Sequence, residues 1–331
     1  MDSLLRNKKW LKPLFVAAIL VPLTIFILQT DFNRVWQELY KIGFRFFYLL
    51  LCTGIAYFLA TFSWWICLGG ERKKISLMQL FVVRQVGETV GLYNPSSVVG
   101  GDLLKDELLR PYAIARTQSA SSIVVSRITI VLSQLLLFTF AAAWLVLYSA
   151  NAMPLYLEQF IGLLVITLLV LKCAFFYLLH KTLKIDTDDA ERSFSRRIYR
   201  QIRKLVYQSQ HFYQQQPKAF WVSYFFSLLH WVVGSLEFFF ILLFLGYDIQ
   251  IMHGVLLDMG VIIVKSLGAF VPGQIGVEEL GNKLVLGVIG IEATSIWLAV
   301  SILRRSRQLF WLLIGVICYG FAKKTTALTI V

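Results

Sequence analysis

Two short stretches decide how this chain is read. The first is Asn94-Pro95-Ser96-Ser97-Val98-Val99-Gly100-Gly101-Asp102, and the second is Val271-Pro272-Gly273-Gln274-Ile275-Gly276-Val277-Glu278. Each interrupts or closes an otherwise apolar segment, 77–101 and 254–290. Each runs from proline through small or apolar residues to glycine and then an acid. Proline removes a backbone donor and glycine tolerates the turns that follow, so both stretches read as helix breaks. Asp102 follows Pro95 by 7 residues, and Glu278 follows Pro272 by 6. An arginine then appears inside an apolar helix in both copies: Arg127 lies 25 residues after Asp102, and Arg304 lies 26 after Glu278.

The chain around them has 331 residues, of which 58% are hydrophobic and 15% charged, with a mean hydropathy of +0.69. A soluble domain has roughly 45–50% apolar and about 25% charged residues. Disorder, a nucleic-acid-binding domain and a secreted disulfide scaffold are excluded as readings of the whole chain, and an integral membrane protein is indicated. The net charge of +13 sits mostly between the apolar runs, as loop charges sorted by membrane side do, so no nucleic-acid partner is expected. Cys52, Cys67, Cys173 and Cys318 all lie inside apolar runs without metal-ligand spacing and read as small hydrophobes.

Crossing a bilayer core takes about 20 apolar residues of helix. Six segments approach or exceed that: Pro13–Leu28, Phe44–Leu68, Ser119–Tyr148, Leu155–Leu179, Phe220–Leu245 and Ser295–Phe321. The first follows Arg6, Lys8, Lys9 and Lys12 and reads as an uncleaved signal anchor. The predicted fold is an all-α polytopic membrane protein, with about six full transmembrane helices and two Pro/Gly-broken re-entrant hairpins. It forms one membrane domain over 1–331. Its first half is 13–180 with hairpin 77–101, and its second half is 219–331 with hairpin 254–290.

Lysine and arginine set the orientation. They cluster at the N-terminus, at Arg72-Lys73-Lys74, in the loop Lys181–Lys218 and at Lys323-Lys324, while Ser149–Pro154 and Gly246–Ile251 have none. Both termini and the loop are therefore expected in the cytoplasm. The loop, 181–218, is a cytoplasmic basic amphipathic segment. Phe194, Ile198, Ile202, Leu205 and Val206 recur at helical spacing between Arg196, Arg197, Arg200, Arg203 and Lys204. It suits either the headgroup plane of an anionic leaflet or a solvated linker helix. On this topology the first hairpin opens from the cytoplasm and the second from outside. The two copies form an inverted repeat, the build of many secondary transporters, whose site lies near the midplane where broken helices meet. Chance recurrence of Pro-Gly turns is the competing explanation.

Asn94-Pro95, Gly100-Gly101-Asp102 and Ser126-Arg127, with Pro272-Gly273, Gly276-Val277-Glu278 and Leu303-Arg304, resemble the flippase-like family, also called the lysylphosphatidylglycerol synthase transmembrane region family. The resemblance covers roughly residues 14 to 321. It implies a membrane module that accompanies lipid modification. In one branch the module is fused to a soluble aminoacyltransferase that adds lysine to phosphatidylglycerol, and the membrane part flips the product. Other branches accompany glycosyltransferases, hopanoids or polyisoprenoid lipids. The sequence departs from the pattern in reading Pro-Ser-Ser where the family has Pro-Gly, in placing Lys105 where the family often has arginine, and in carrying the membrane module without the soluble transferase domain.

An ionisable residue at membrane depth costs about 2.5–3.5 kcal/mol on insertion scales and needs a partner or a function. Arg127 lies about 8 residues into its helix, roughly 12 Å at 1.5 Å per residue. It reads either as a bidentate fork for a lipid phosphate or as an ion pair with Asp102 or Glu88. Arg304 matches it in the second copy and is the second phosphate candidate, with Lys265 and Arg84 as further ones. Arg305 and Arg307 read as partners of Glu278, Glu279 or Asp258. Asp102 and Glu278 suit gating or proton coupling, or else helix capping and first-turn charge. Glu88, four residues after Arg84, and Asp258, seven before Lys265, are grouped with them or read as neutralising pairs. Asn94, Pro95, Gly100, Gly101, Pro272, Gly273 and Gly276 make the hairpin breaks. Glu237 reads as facing the bundle, and Lys172 as snorkelling to the cytoplasmic end.

His180, His211, His230 and His253 are scattered and form no metal pattern, so neither a metal nor a cofactor is expected. No nucleophile elbow, phosphate-binding loop or dinucleotide turn occurs, which excludes an ATP-driven pump on this chain alone and disfavours an enzyme. The expected function is a lipid transporter or flippase that translocates or binds an anionic phospholipid or polyisoprenoid-phosphate lipid. The alternative is a membrane-embedded subunit or partner of a lipid aminoacyl- or glycosyltransferase. Its partners would be membrane lipids with anionic headgroups and such a transferase. Its place would be a bacterial or archaeal cytoplasmic membrane.

Overall fold

The computed structural model describes residues 32–93, 97–149, 155–180, 194–268, 271, 274 and 276–328. The expected first span, Pro13–Leu28, and the break residues Asn94, Pro95, Pro272 and Gly273 lie outside the described residues. Among the described residues there are eleven α-helices and no strand. They are α1 (Phe32–Ile42), α2 (Phe46–Cys67), α3 (Leu77–Tyr93), α4 (Ser97–Leu109), α5 (Arg116–Ser149) and α6 (Leu155–His180). The rest are α7 (Phe194–Gln215), α8 (Pro217–Phe244), α9 (Ile251–Leu267), α10 (Val277–Val288) and α11 (Thr294–Leu328). This is the all-α architecture that the apolar runs predict, because helices satisfy every backbone group without water.

Among the described residues four helical stretches are long and apolar enough to cross a membrane: Trp36–Cys67, Arg116–Leu147, Glu158–His180 and Pro217–Phe244. They coincide with four of the six expected spans. The last expected span is one helix of 35 residues, α11, which carries Arg304, Arg305 and Arg307 in its first half. The interrupted segments form helix pairs, α3 with α4 and α9 with α10. The first pair reaches beyond the expected 77–101, because α4 continues to Leu109. At 1.5 Å per residue α4 is roughly 20 Å long and α10 roughly 18 Å, both short of a hydrocarbon core of about 30 Å.

The chain divides into two compact units. The first takes residues up to Thr53, then Met78–Pro111 and Ser235–Val331, and the second takes Gly54–Leu77 and Tyr112–Gly234. Both helix pairs and α11 therefore belong to the first unit, and Arg127 belongs to the second.

In the first unit α9 packs on α10, α10 on α11 and α11 on α1. Phe238, Ile241, Leu242, Leu257, Val261, Leu286, Val300 and Leu303 form its apolar core. Glycines let the paired helices approach closely. A Cβ at Gly101 would lie 2.5 Å from the Gly87 carbonyl oxygen, and one at Gly87 would lie 2.4 Å from Lys105 Cγ. In the second pair, a Cβ at Gly268 would lie 2.5 Å from Val277, and one at Gly260 would lie 2.9 Å from Val285. Small residues at membrane helix contacts permit this van der Waals packing.

The second unit is joined by hydroxyls. Ser63 on α2 donates to the Ser223 carbonyl at 2.9 Å, and its oxygen lies 2.8 Å from both Ser223 Oγ and Ser227 Oγ on α8. Thr129 Oγ1 on α5 reaches Ser223 Oγ at 3.1 Å. All four side chains are fully buried, so each hydroxyl finds its partner between helices rather than in water. On α6, Phe160, Leu163, Ile166 and Val170 are exposed, as side chains facing lipid would be. Cys52, Cys67 and Cys318 are buried and Cys173 exposed, all as free thiols, in line with their reading as small hydrophobes. Lys172 differs from the expectation of snorkelling. It is buried, and its Nζ has no hydrogen-bond partner among the described residues. Its position on the inward side of an otherwise exposed helix keeps the amine from reaching the surface.

Candidate functional site

The site is built where α8, α9, α10 and α11 converge in the first unit. Glu237 interrupts the apolar run of α8 and is buried. Asp258 and Lys265 stand two turns apart on one face of α9. The close contact between Gly268 and Val277 returns the chain, so the end of α9 meets the start of α10. Gly276 adopts φ +80°, a left-handed conformation that side-chain-bearing residues rarely take, and its N–H donates to Glu279 Oε2 at 2.8 Å. This N-terminal arrangement aims Glu278 inward. On α11, Arg304, Arg307 and Gln308 share a face at spacings of three and four residues.

These side chains form one buried network. Arg304 Nε donates to Glu278 Oε1 at 2.9 Å, and its Nη1 donates to Asp258 Oδ1 at 3.3 Å. The same Nη1 lies 3.5 Å from Glu237 Oε2. The guanidinium carbon stands 4.1 Å from the centre of the Phe238 ring, a cation–π contact. Arg307 Nε pairs with Glu237 Oε1 at 2.6 Å. Lys265 Nζ donates to Glu278 Oε2 at 3.2 Å, and Gln308 Nε2 donates to the same oxygen at 2.8 Å. Ser235 Oγ donates to Asp258 Oδ2 at 3.3 Å. Beside the network, Arg305 pairs with Glu279.

The charges balance. Lys265, Arg304 and Arg307 supply three positive charges, and Glu237, Asp258 and Glu278 supply three negative ones. Arg304 is only 3% exposed, and the Lys265 side chain, at 17%, is the most accessible cation. Isolated charges at such depth are costly, so mutual pairing is what lets them stay. Chemically, the network can hold an anion through guanidinium and ammonium donors or exchange one acidic partner for another. It offers no nucleophile–base pair.

The first helix pair carries a smaller relative of this arrangement. Lys105 is buried, crosses Gly87 and donates to Glu88 Oε1 at 2.5 Å and Asp102 Oδ1 at 3.1 Å. Arg84 is buried one turn before Glu88. Gln85 Nε2 donates to the Trp311 carbonyl at 3.3 Å, and Thr89 lies against Gly315, so α3 lines the same helix that carries Arg304.

The expected site residues are thus distributed. Arg304, Lys265, Glu278 and Asp258 come together, and Glu88, Asp102 and Lys105 form the second group. Arg127 is partly buried on α5 in the other unit. Arg305 and Glu279 pair as expected, whereas Arg307 takes Glu237. Glu237, Arg307 and Gln308 were not singled out as site residues by sequence. A lone carboxylate within Phe and Leu was the available signal for Glu237. The i, i+3, i+4 spacing from Arg304 was the signal for Arg307 and Gln308.

A family model described as "Lysylphosphatidylglycerol synthase TM region" matches residues 10–315. The chain belongs to this family, and it is an integral membrane protein linked to lipid metabolism. No curated protein and no solved structure matches it.

Proposed function

We propose that this member of the lysylphosphatidylglycerol synthase TM region family binds an anionic phospholipid or polyisoprenoid-phosphate lipid and carries it across the membrane without ATP. The observation that carries the reading is the group of buried Arg304 and half-buried Lys265 and Gln308, all donating to one buried carboxylate, Glu278. Donors that hold a carboxylate in this way also suit a phosphate, and arginine does so bidentately. Arg84 is a further phosphate contact of the same unit in this proposal, and Arg127, in the other unit, is a phosphate contact in its own right. Asp102, Glu278, Glu88 and Asp258 are the gating or proton-coupling acids. The short helices α4 and α10 support a re-entrant, inverted-repeat arrangement, because neither is long enough to cross alone.

The test is transport in vesicles of phosphatidylglycerol and phosphatidylcholine, with a fluorescent phosphatidylglycerol as reporter. Arg127→Lys keeps the charge and loses the fork. The variant should retain wild-type expression and melting temperature and move the reporter at least tenfold more slowly. Wild-type transport by Arg127→Lys would remove Arg127 from the phosphate site. No movement by the unmodified chain above protein-free vesicles would end the transport reading.

A second reading is favoured by the family description itself, which names the membrane region of a synthase. The chain would then serve as the membrane subunit or partner of a lipid aminoacyl- or glycosyltransferase. Stable co-purification with such an enzyme, together with no transport alone, would favour it.

In either case both termini and residues 181–218 lie in the cytoplasm of a bacterial or archaeal cell in this proposal, on the strength of the Lys/Arg asymmetry. Ser193→Cys should resist impermeant thiol reagents in intact cells, and Asn151→Cys should react. Labelling of Ser193→Cys from outside would reverse the orientation.

A further inference from the structure

We infer that Glu278 is a placeholder anion, and that a phosphodiester headgroup enters by displacing it together with the uptake of one proton. The inference rests on the phosphate reading above and adds its charge stoichiometry. Glu278 accepts from three donors that a phosphate at this site would claim: Lys265 Nζ, Arg304 Nε and Gln308 Nε2. It lies at the start of α10, directly after the left-handed Gly276, so its backbone stands at a turn and not in mid-helix. Lys265, the most accessible cation of the network, is one of its partners.

The electrostatic bookkeeping then constrains the exchange. Glu278 is faced by Lys265 and Asp258 from α9, by Arg304, Arg307 and Gln308 from α11, and by Glu237 from α8 through their shared Arg304. Its neighbour Glu279 is turned away to Arg305 and the Gly276 N–H. Three cations already meet three carboxylates. A phosphodiester brings one further negative charge, and an uncompensated charge in so buried a place is strongly unfavourable. Asp258 and Glu237 are each tied to an arginine and make no contact with Lys265 or Gln308 among the described interactions. Glu278 is the acid released when the phosphate oxygens take Lys265 and Arg304. It stays within the buried helix bundle beside the phosphate, where a fourth negative charge against three cations would be costly, so it takes up a proton from the medium and the balance returns to three against three. When the lipid departs, the proton returns to water and Glu278 to its donors. A proton gradient would therefore bias the direction of lipid movement. A phosphomonoester, with a charge nearer −2 at neutral pH, would require close to two protons.

The experiment measures protons taken up per ligand bound by the full chain in detergent, in a weakly buffered medium near neutral pH with an indicator dye. The ligands are short-chain phosphatidylglycerol and, separately, acyl-free glycerophosphoglycerol. About one proton per bound phosphodiester is expected for wild type and for the control Glu107→Gln, whose carboxylate pairs with Arg110 at 2.8 Å on the exposed surface. Whichever of the two ligands produces the uptake identifies a lipid or a soluble source. Glu278→Gln keeps an acceptor oxygen for Lys265 and Arg304, and it should bind phosphatidylglycerol with no proton uptake. If that variant does not fold, the wild-type stoichiometry decides. Binding without proton uptake in wild type, or unchanged uptake in a folded Glu278→Gln, overturns the placeholder role and leaves phosphate binding standing. No binding of either ligand by wild type overturns the phosphate reading and this inference with it.

Discussion

Arg304→Ala should be among the most damaging single changes in this protein. It would leave Glu278, Asp258 and Glu237 buried with their shared cation gone. Breaking a buried pair by removing one partner costs about 3–5 kcal/mol, and here Asp258 loses its ion pair while Glu278 falls back on Lys265 and Glu237 on Arg307. The variant should accumulate poorly and melt well below wild type in detergent, as read by thermal size-exclusion chromatography. Arg304→Ala combined with Glu278→Ala should recover part of the loss, since two members of one network are not additive. An Arg304→Ala variant as stable as wild type would show that the network carries no stability.

Glu237→Ala should approach the same effect from the opposite sign. It would remove the carboxylate that pairs with Arg307 at 2.6 Å, which is also one of the three carboxylates around Arg304. A loss of about 3–5 kcal/mol is expected on the same grounds. Glu237→Gln, which keeps the shape and an acceptor, should lose less. Equal melting temperatures for Glu237→Ala and wild type would mean that Arg307 finds another partner at no cost.

Much of the fold was legible because its signals are long. Apolar runs of 20 or more residues define α2, α5, α6 and α8, and the helix ends fall within a few residues of the expected limits. The helix pairs were legible only in part: Gly100 and Gly101, expected as part of a break, lie inside α4, because Gly87 and Gly101 let the α3 and α4 backbones approach without ending the helix, and the reach of α4 to Leu109 was not legible either. Lys105, Asp106, Glu107 and Arg110 make that stretch polar, and polarity alone does not separate a helix from a loop.

The site was legible only in part. The Glu278–Arg304 spacing picked out a pair that meets at 2.9 Å. Sequence spacing could not reveal that Glu237 joins them, because that contact depends on how α8 packs beside α9 and α11. Nor could it reveal that Lys105 pairs with both Glu88 and Asp102, since the approach of α3 and α4 is set by the bare backbones of Gly87 and Gly101. The hydroxyl seam of Ser63, Thr129, Ser223 and Ser227 was missed for a similar reason. A single Ser or Thr in an apolar helix is unremarkable until its neighbours across the interface are known.

The central claim is that the donors now holding Glu278 hold a lipid phosphate in the working protein. It is tested most directly by a high-resolution density map of the chain in nanodiscs rich in phosphatidylglycerol. The account predicts a headgroup whose phosphate oxygens lie within hydrogen-bond reach, about 2.7–3.2 Å, of Lys265 Nζ and the Arg304 guanidinium, with Glu278 swung away. A map with saturating lipid in which Glu278 still occupies those donors, and in which no headgroup reaches them, would contradict it.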